Sequence, residues 1–223
     1  MKWTRRDLLI GLGGLPILGA VWWAGAASSV GSRKKRSEIL EQLNIKPSLP
    51  PAVPGIGGEP VRIGVIGFGI RGEQLTRALG FATDEWKEEM RLAAEEDPNN
   101  KRLEDFESQE PLNVKLVGIC DVFDVRAEKF INSFSTDDNK IKRYLTYKEM
   151  IQSGDVDAVV IATPDHWHAP MSIEALNNNV HVYVEKPMTH TVGETYTLRE
   201  AAEKSDAVFA VGHQHRQTLS FST

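Results

Sequence analysis

Cysteine is nearly absent from this chain: Cys120 stands alone among 223 residues. That excludes an intrachain disulfide. Cys120 lies on an apolar run, where a single thiol reads as a small buried hydrophobe. Histidine is missing from the whole chain before His166. His166 and His168, like His213 and His215, are spaced two apart, but no carboxylate–histidine set with plausible ligand spacing accompanies them, so no metal site is expected. Also missing is a basic stripe with interleaved aromatics in the globular part, which argues against a nucleic-acid partner. No internal repeat is visible.

What is present is unevenly distributed. The net charge is −5, yet residues 1–36 carry seven basic groups against one acid, Asp7, and residues 84–110 carry eleven acids against four bases. The N-terminal stretch, residues 1–27, opens Thr4-Arg5-Arg6-Asp7-Leu8-Leu9 and continues as a glycine-rich apolar run to Ala27. Paired arginines before a mildly hydrophobic segment resemble a twin-arginine (Tat) signal, which carries folded proteins through the Tat translocase. Ala24-Gly25-Ala26 suits a small-x-small cleavage site. The competing reading is an uncleaved anchor, since the run is close to the length that spans a bilayer. Arg33-Lys34-Lys35-Arg36, just beyond the run, complicates the orientation of such an anchor. With no cysteine after the run, a lipoprotein anchor is excluded. The expectation is an exported protein, periplasmic or tethered to the inner membrane.

Residues 28–60 read as a linker. A short helix is expected at Ser37–Leu43, and then five prolines between Pro47 and Pro60 forbid regular structure. From Val61 apolar runs alternate with helix-like segments, the pattern of βα units on a parallel sheet. Strands are expected at Val61–Ile66, Val114–Cys120, Ala158–Ala162, His181–Val184 and Val208–Val211. Helices are expected at Arg71–Gly80, Val125–Asn132, Tyr147–Gln152, Pro170–Asn177 and Val192–Lys204, with Gly154 stopping the third. The fold class is α/β, a doubly wound parallel sheet of the Rossmann kind. The acidic stretch 81–111 interrupts the rhythm. It reads as a solvated insertion with a helix at Asp84–Glu96, or as a lid or subunit contact near the cofactor.

Two segments carry the chemistry. Val61 to Gly72 reads VRIGVIGFGIRG, a buried strand running into Gly67-x-Gly69-x-x-Gly72. The glycines permit a tight turn and close approach to a pyrophosphate, and the helix N-terminus that follows favours the anion. Gly67, Phe68, Gly69, Ile70, Arg71 and Gly72 are therefore candidate cofactor residues. Arg71 either adds a phosphate contact or stands as a solvated helix charge. The acid expected at the end of the second strand is Asp121, 49 residues beyond Gly72 because of the insertion. A carboxylate there accepts the ribose hydroxyls and repels a 2′-phosphate, which favours NAD over NADP. Arg126 reverses this preference if it turns inward. Asp124 is a rival for the ribose, or a helix cap.

Val182 to Met188 reads VYVEKPM, an acid, a base and a proline at the end of another apolar strand. Lys186, partly desolvated by a bound cofactor, can exchange protons near neutrality and serve the oxygen of a carbon that gains or loses hydride. Glu185 orients that lysine or meets the nicotinamide ribose; on its own the pair would read as a surface ion pair. Thr163 and Pro164, in the turn after the strand Ala158–Ala162, fall beside the nicotinamide end of a dinucleotide, with His168 as a polar lining residue.

Taken in order, GVIGFGIRG, GICDVFDVRAEKF, DAVVIATPDHWHAPMSIEAL, HVYVEKPMTHTVGET and FAVGHQHR resemble the Gfo/Idh/MocA oxidoreductases, the superfamily of glucose–fructose oxidoreductase and inositol dehydrogenase. The resemblance covers residues 61–216. It implies NAD(P) on a Rossmann domain, Lys186 as the proton-transfer group of the Glu-Lys-Pro motif, and a sugar, cyclitol or related polyol as substrate. It also implies a second domain that forms the substrate wall and the interface of a homo-oligomer. Residues 217–223 stop where that domain should begin, and the expectation is a truncated or split gene product. Two further readings stay open: a non-catalytic dinucleotide-binding fragment that needs a second chain, and a membrane-tethered interaction module. An exported member would keep its NAD as a prosthetic group, which fits a coupled two-substrate reaction or NAD-dependent glycoside cleavage by oxidation, elimination and reduction.

Overall fold

β1 (Val61–Ile66) lies inside the sheet. Its alternate residues feed two separate cores, because successive side chains of a strand point to opposite faces. In the computed structural model, which describes residues 58–213, Ile63 and Val65 pack with Phe68, Leu75, Leu116, Ile119, Phe130 and Val160 on one face. Ile66 packs with Tyr144, Met150, Val159, Ile161, Leu176 and Val184 on the other. Both faces of the sheet are thus covered, and this is why its strands read as nearly unbroken apolar runs. Each fully buried Ile, Leu or Phe side chain contributes about 1.5–3 kcal/mol.

The chain continues through α1 (Ile70–Ala78), α2 (Asp84–Glu96), α3 (Arg102–Glu107), β2 (Val114–Cys120), α4 (Asp124–Phe134), β3 (Lys142–Arg143), α5 (Tyr147–Gln152), β4 (Ala158–Ile161), α6 (His168–Asn177), β5 (His181–Glu185), α7 (Val192–Lys204) and β6 (Phe209–Gly212). The strands form one sheet in the order β3-β2-β1-β4-β5-β6, every pair parallel. The order reverses direction between β1 and β4, and open α/β sheets bind their ligands in the crevice at such a point.

Most expected elements lie within a residue or two of their places. The two-residue strand β3 and the helix α3 were not anticipated; neither carries an apolar run. Helices α1, α4 and α6 begin earlier than their apolar periodicity suggests. α6 continues directly from a 3₁₀ turn at Asp165–Trp167, and Pro170 sits in its first turn, where a missing N–H is harmless. Gly154 follows α5 with φ +74°, as a helix stop. Asp124 is the first residue of α4 and not its cap: Phe123 holds the cap position, and the Asp124 carboxylate pairs with Arg143.

The acidic insertion is pinned to α1 and α4. Thr83 caps α2 by accepting the Trp86 N–H at 3.3 Å. The Arg77 guanidinium lies 4.8 Å over the Trp86 ring. Lys129 reaches Glu85 at 2.9 Å and Glu73 at 3.6 Å. Among the described residues no helix is long and apolar enough to cross a membrane. The signal or anchor, the linker helix and the C-terminal tail lie outside the described residues.

Candidate functional site

The carboxyl ends of β1, β4 and β5 bring the two chemical segments together. Gly67 leaves β1 with φ +89°, a conformation that favours glycine. A Cβ there would lie 2.7 Å from the Ala162 carbonyl oxygen. A Cβ at Gly72 would collide with the Gly67 carbonyl, so this position must be bare for the helix to start against the strand. Gly69 differs: only the Arg126 guanidinium approaches, at 3.5 Å. The open side of the turn is therefore at Gly69, where a phosphate would approach the backbone. Gly69 has no side-chain cap, and its carbonyl accepts the Glu73 N–H at 2.9 Å. Helix α1 consequently begins inside the turn.

Phe68 and Ile70 part company. Phe68 is 3% exposed, its ring edge-on to Phe130 at 4.8 Å, so its side chain belongs to the core. Ile70 is 84% exposed. Asp121 is buried at the end of β2, and its two oxygens accept backbone N–H groups from Phe68 at 2.7 Å and Phe123 at 2.9 Å. The carboxylate thereby ties the glycine turn to the β2 end. Arg126 leans toward the same turn, its guanidinium 4.9 Å over the Phe123 ring. Next to Asp121, burial and then the neighbouring carboxylate push the Cys120 thiol up to about 11.

At the other end, Glu185 is 4% exposed. One of its oxygens, Oε1, accepts from both Nε and Nη2 of Arg71 at 2.7 Å. Its other oxygen accepts the Lys186 backbone N–H at 3.3 Å. Arg71 therefore faces the lysine strand, and it also donates to Gln74 at 2.9 Å. Gly212 of β6 makes room for this acid, since a Cβ there would stand 2.8 Å from Glu185 Oε1 and 2.6 Å from the Tyr183 hydroxyl. Burial, then the Glu185 charge, raises the Tyr183 phenol above its ordinary value.

Lys186 is exposed, and among the described residues its ammonium has no hydrogen-bond partner. The bond to Pro187 is cis. His168 is 2% exposed, with Nδ1 2.7 Å from the Pro187 carbonyl and Nε2 2.8 Å from the Thr163 carbonyl. A neutral ring can donate to one of these oxygens, a doubly protonated ring to both. The Thr163 hydroxyl turns toward the Met171 sulfur at 3.6 Å, while Pro164 is exposed. Arg71, Thr163, Asp165, Glu185, Lys186 and Pro187 line a cleft of about 410 Å³, within the range of small-ligand sites. One cleft residue, Asp165, and its neighbour His190 outside the cleft escaped sequence reading. Asp165 and His190 approach to 3.0 Å, and the only signal in the sequence was that each sits in a loop beside a motif residue. Among the described residues no cluster of histidine, cysteine and carboxylates is arranged to hold a metal.

A parallel sheet in this order, with a glycine turn at the switch point and an acid–lysine pair at the end of the fifth strand, is the arrangement of a Rossmann dinucleotide-binding domain. Residues 61–213 match the Gfo/Idh/MocA family, an oxidoreductase family with an NAD-binding Rossmann fold, and the chain belongs to that family. Glycosyl hydrolase family 109 protein 2 of Shewanella sp. (strain ANA-3) is 33% identical over 150 residues, 65% of this chain and 26% of that protein. Myo-inositol 2-dehydrogenase from Lactobacillus plantarum superposes with a TM-score of 0.54 at 24% identity, covering 73% of this chain and 39% of its own. Myo-inositol dehydrogenase from Lactobacillus casei, solved in complex with NAD(H) and myo-inositol, gives 0.53 at 20% identity, covering 72% and 38%. At these identities the solved structures share the fold. The chain spans about a quarter of the length of the curated relative, whose match covers 26% of it.

Proposed function

We propose that this chain holds NAD across the carboxyl ends of β1, β2, β4 and β5 and, together with a substrate-binding domain, serves reversible hydride transfer at a carbinol carbon of a sugar or polyol. The observation that carries the reading is the joining of the glycine turn to the lysine strand by Arg71 and Glu185, with a cleft between them. The residues fit a dinucleotide: the turn is closed by backbone at Gly67 and Gly72 and open at Gly69. NAD, when bound, supplies the hydride acceptor or donor at nicotinamide C4. Lys186 takes the hydroxyl proton as the carbinol becomes a carbonyl and returns it in the reverse direction. Glu185 fixes the strand end that carries the lysine. His168 holds the Thr163-Pro164 loop against Pro187. Asp121 sets the turn and repels a 2′-phosphate, so NAD is preferred to NADP.

A second reading is favoured by the curated relatives that carry a glycosyl hydrolase name. A cycle in which a carbinol is oxidised, the glycosidic group is eliminated, water adds and the ketone is reduced again needs no external oxidant. It also suits a retained cofactor. The Arg5-Arg6 pair supports export through the Tat translocase, after folding around NAD.

The test is to denature the purified chain and assay the released nucleotide, then titrate the nucleotide-free protein. About one NAD per chain, with NADP bound more weakly, is the expected result. No released nucleotide, together with no thermal shift on adding NAD or NADP, overturns the reading.

A further inference from the structure

The cleft is bounded by two loops, residues 162–168 after β4 and residues 186–191 after β5. They are tied together twice. Inside, His168 bridges the Thr163 and Pro187 carbonyls. Outside, His190 Nε2 lies 3.0 Å from Asp165 Oδ2, with both side chains about half exposed. The outer tie is braced at each end. Asp165 Oδ1 accepts the His166 N–H at 3.1 Å, and the hydrogen bond from His190 holds the Asp165 carboxyl below its ordinary range. Behind His190, Glu194 accepts the backbone N–H groups of His190 at 2.6 Å and Thr191 at 2.9 Å. Thr191 accepts the Glu194 N–H at 3.2 Å, which completes the capping box of α7. A continuous line of contacts therefore runs from the N-terminus of α7 through His190 to Asp165, a residue of the cleft wall beside Lys186.

We propose that His190 and Asp165 form an outer latch that fixes the β4 loop against the lysine loop and so shapes the nicotinamide end of the cofactor site. This rests on the reading above that the cleft receives the nicotinamide. His190 does not line the cleft; it is a positioning residue that acts through Asp165. The ring can donate from Nε2 whether charged or neutral, so the latch does not require a charged histidine. Exposed ion pairs add little to global stability. The consequence of this pair is local: it holds two short loops in register, and loss of either partner leaves the inner His168 bridge to hold them.

The experiment compares NAD with ADP-ribose, which lacks the nicotinamide, by calorimetric titration of the full chain and its Asp165→Ala, His190→Ala and double variants. Each single variant is expected to weaken NAD about three- to fivefold, the scale of one exposed pair, and to leave ADP-ribose unchanged. The double variant should be no worse than either single one, and His190→Gln, whose amide can still donate to Asp165, should recover part of the loss. Unchanged melting of these surface variants shows that the fold is kept. NAD affinity equal to wild type, an effect of Asp165→Ala without one of His190→Ala, additive losses, or equal weakening of ADP-ribose overturns the latch while the cofactor reading stands. A wild-type chain that binds neither nucleotide overturns the cofactor reading and the latch with it.

Discussion

Arg71 and Glu185 lie 114 residues apart in the chain and meet at 2.7 Å, guanidinium to buried carboxylate. The contact joins the first helix turn, which begins within the glycine motif, to the strand that presents the lysine. It also gives a carboxylate that is 4% exposed a charged, hydrogen-bonded partner. Removing the arginine should therefore cost more than removing both partners. Arg71→Ala is expected to lower the unfolding free energy by about 1–3 kcal/mol, less than a fully buried pair because Arg71 is one-third exposed. In Arg71→Ala/Glu185→Gln much of this loss should return. Urea unfolding of the single and double variants measures it, and a double variant weaker than Arg71→Ala would contradict the pairing.

The glycine turn allows folding and binding to be separated. At Gly67, alanine meets both a positive φ and the Ala162 carbonyl, and should destabilise the fold by about 1–3 kcal/mol. At Gly69, where φ is −81° and the nearest side chain is 3.5 Å away, alanine should shift stability by under about 0.5 kcal/mol. Yet it occupies the side from which a pyrophosphate approaches. Gly69→Ala is thus expected to melt like the wild type while binding NAD at least about tenfold more weakly. Thermal unfolding paired with nucleotide titration distinguishes the two positions.

The same contrast marks what the sequence could tell. β1 and β2 were legible to the residue because each is an apolar run broken by a single base near its start, Arg62 or Lys115, and buried toward its carboxyl end. β3 was not, because Lys142-Arg143 gains its place only by pairing with Gly118 and Ile119 at the sheet edge. The start of α6 was also hidden. His168 breaks the apolar pattern, yet it is buried, with its ring nitrogens 2.7 and 2.8 Å from the Pro187 and Thr163 carbonyl oxygens. The glycine turn, Asp121 and Lys186 could be picked out by residue type and strand context. Arg71 and Glu185 were each singled out, but as a phosphate contact and a lysine or ribose partner. That they choose one another depends on β1 and β5 flanking β4, a topological fact that no local window contains.

The single thiol provides a probe of the sheet. Cys120 is 7% exposed, and burial with the adjacent Asp121 charge raises its pKa to about 11. The thiolate is the reactive form, so at pH 8 labelling with a thiol reagent should be slow in the folded chain and fast after denaturation. Raising the pH should speed labelling of the folded chain only toward pH 11. Because the folded pKa exceeds the unfolded one, this group favours the folded state below about pH 8.5 and ceases to do so as the pH climbs through 11. Rapid labelling at pH 8 without loss of structure would mean that the end of β2 is open.

Asp121 is held on both oxygens by the backbone it organises, and this gives it two separable duties. In Asp121→Asn the amide oxygen can still accept one N–H, from Phe68 or Phe123, while the amide nitrogen faces the other. One buried N–H loses its acceptor, and the variant should be about 1–3 kcal/mol less stable. The same change removes the negative charge that disfavours a 2′-phosphate, with the Arg126 guanidinium close by at Phe123. Affinity for NADP relative to NAD should then rise by about tenfold or more, on the scale of a charge-assisted contact. A further change, Arg126→Ala in the Asp121→Asn background, should reverse that gain without restoring stability. If the NADP to NAD ratio is the same in wild type and Asp121→Asn, the carboxylate is a brace for the glycine turn and has no part in choosing the cofactor.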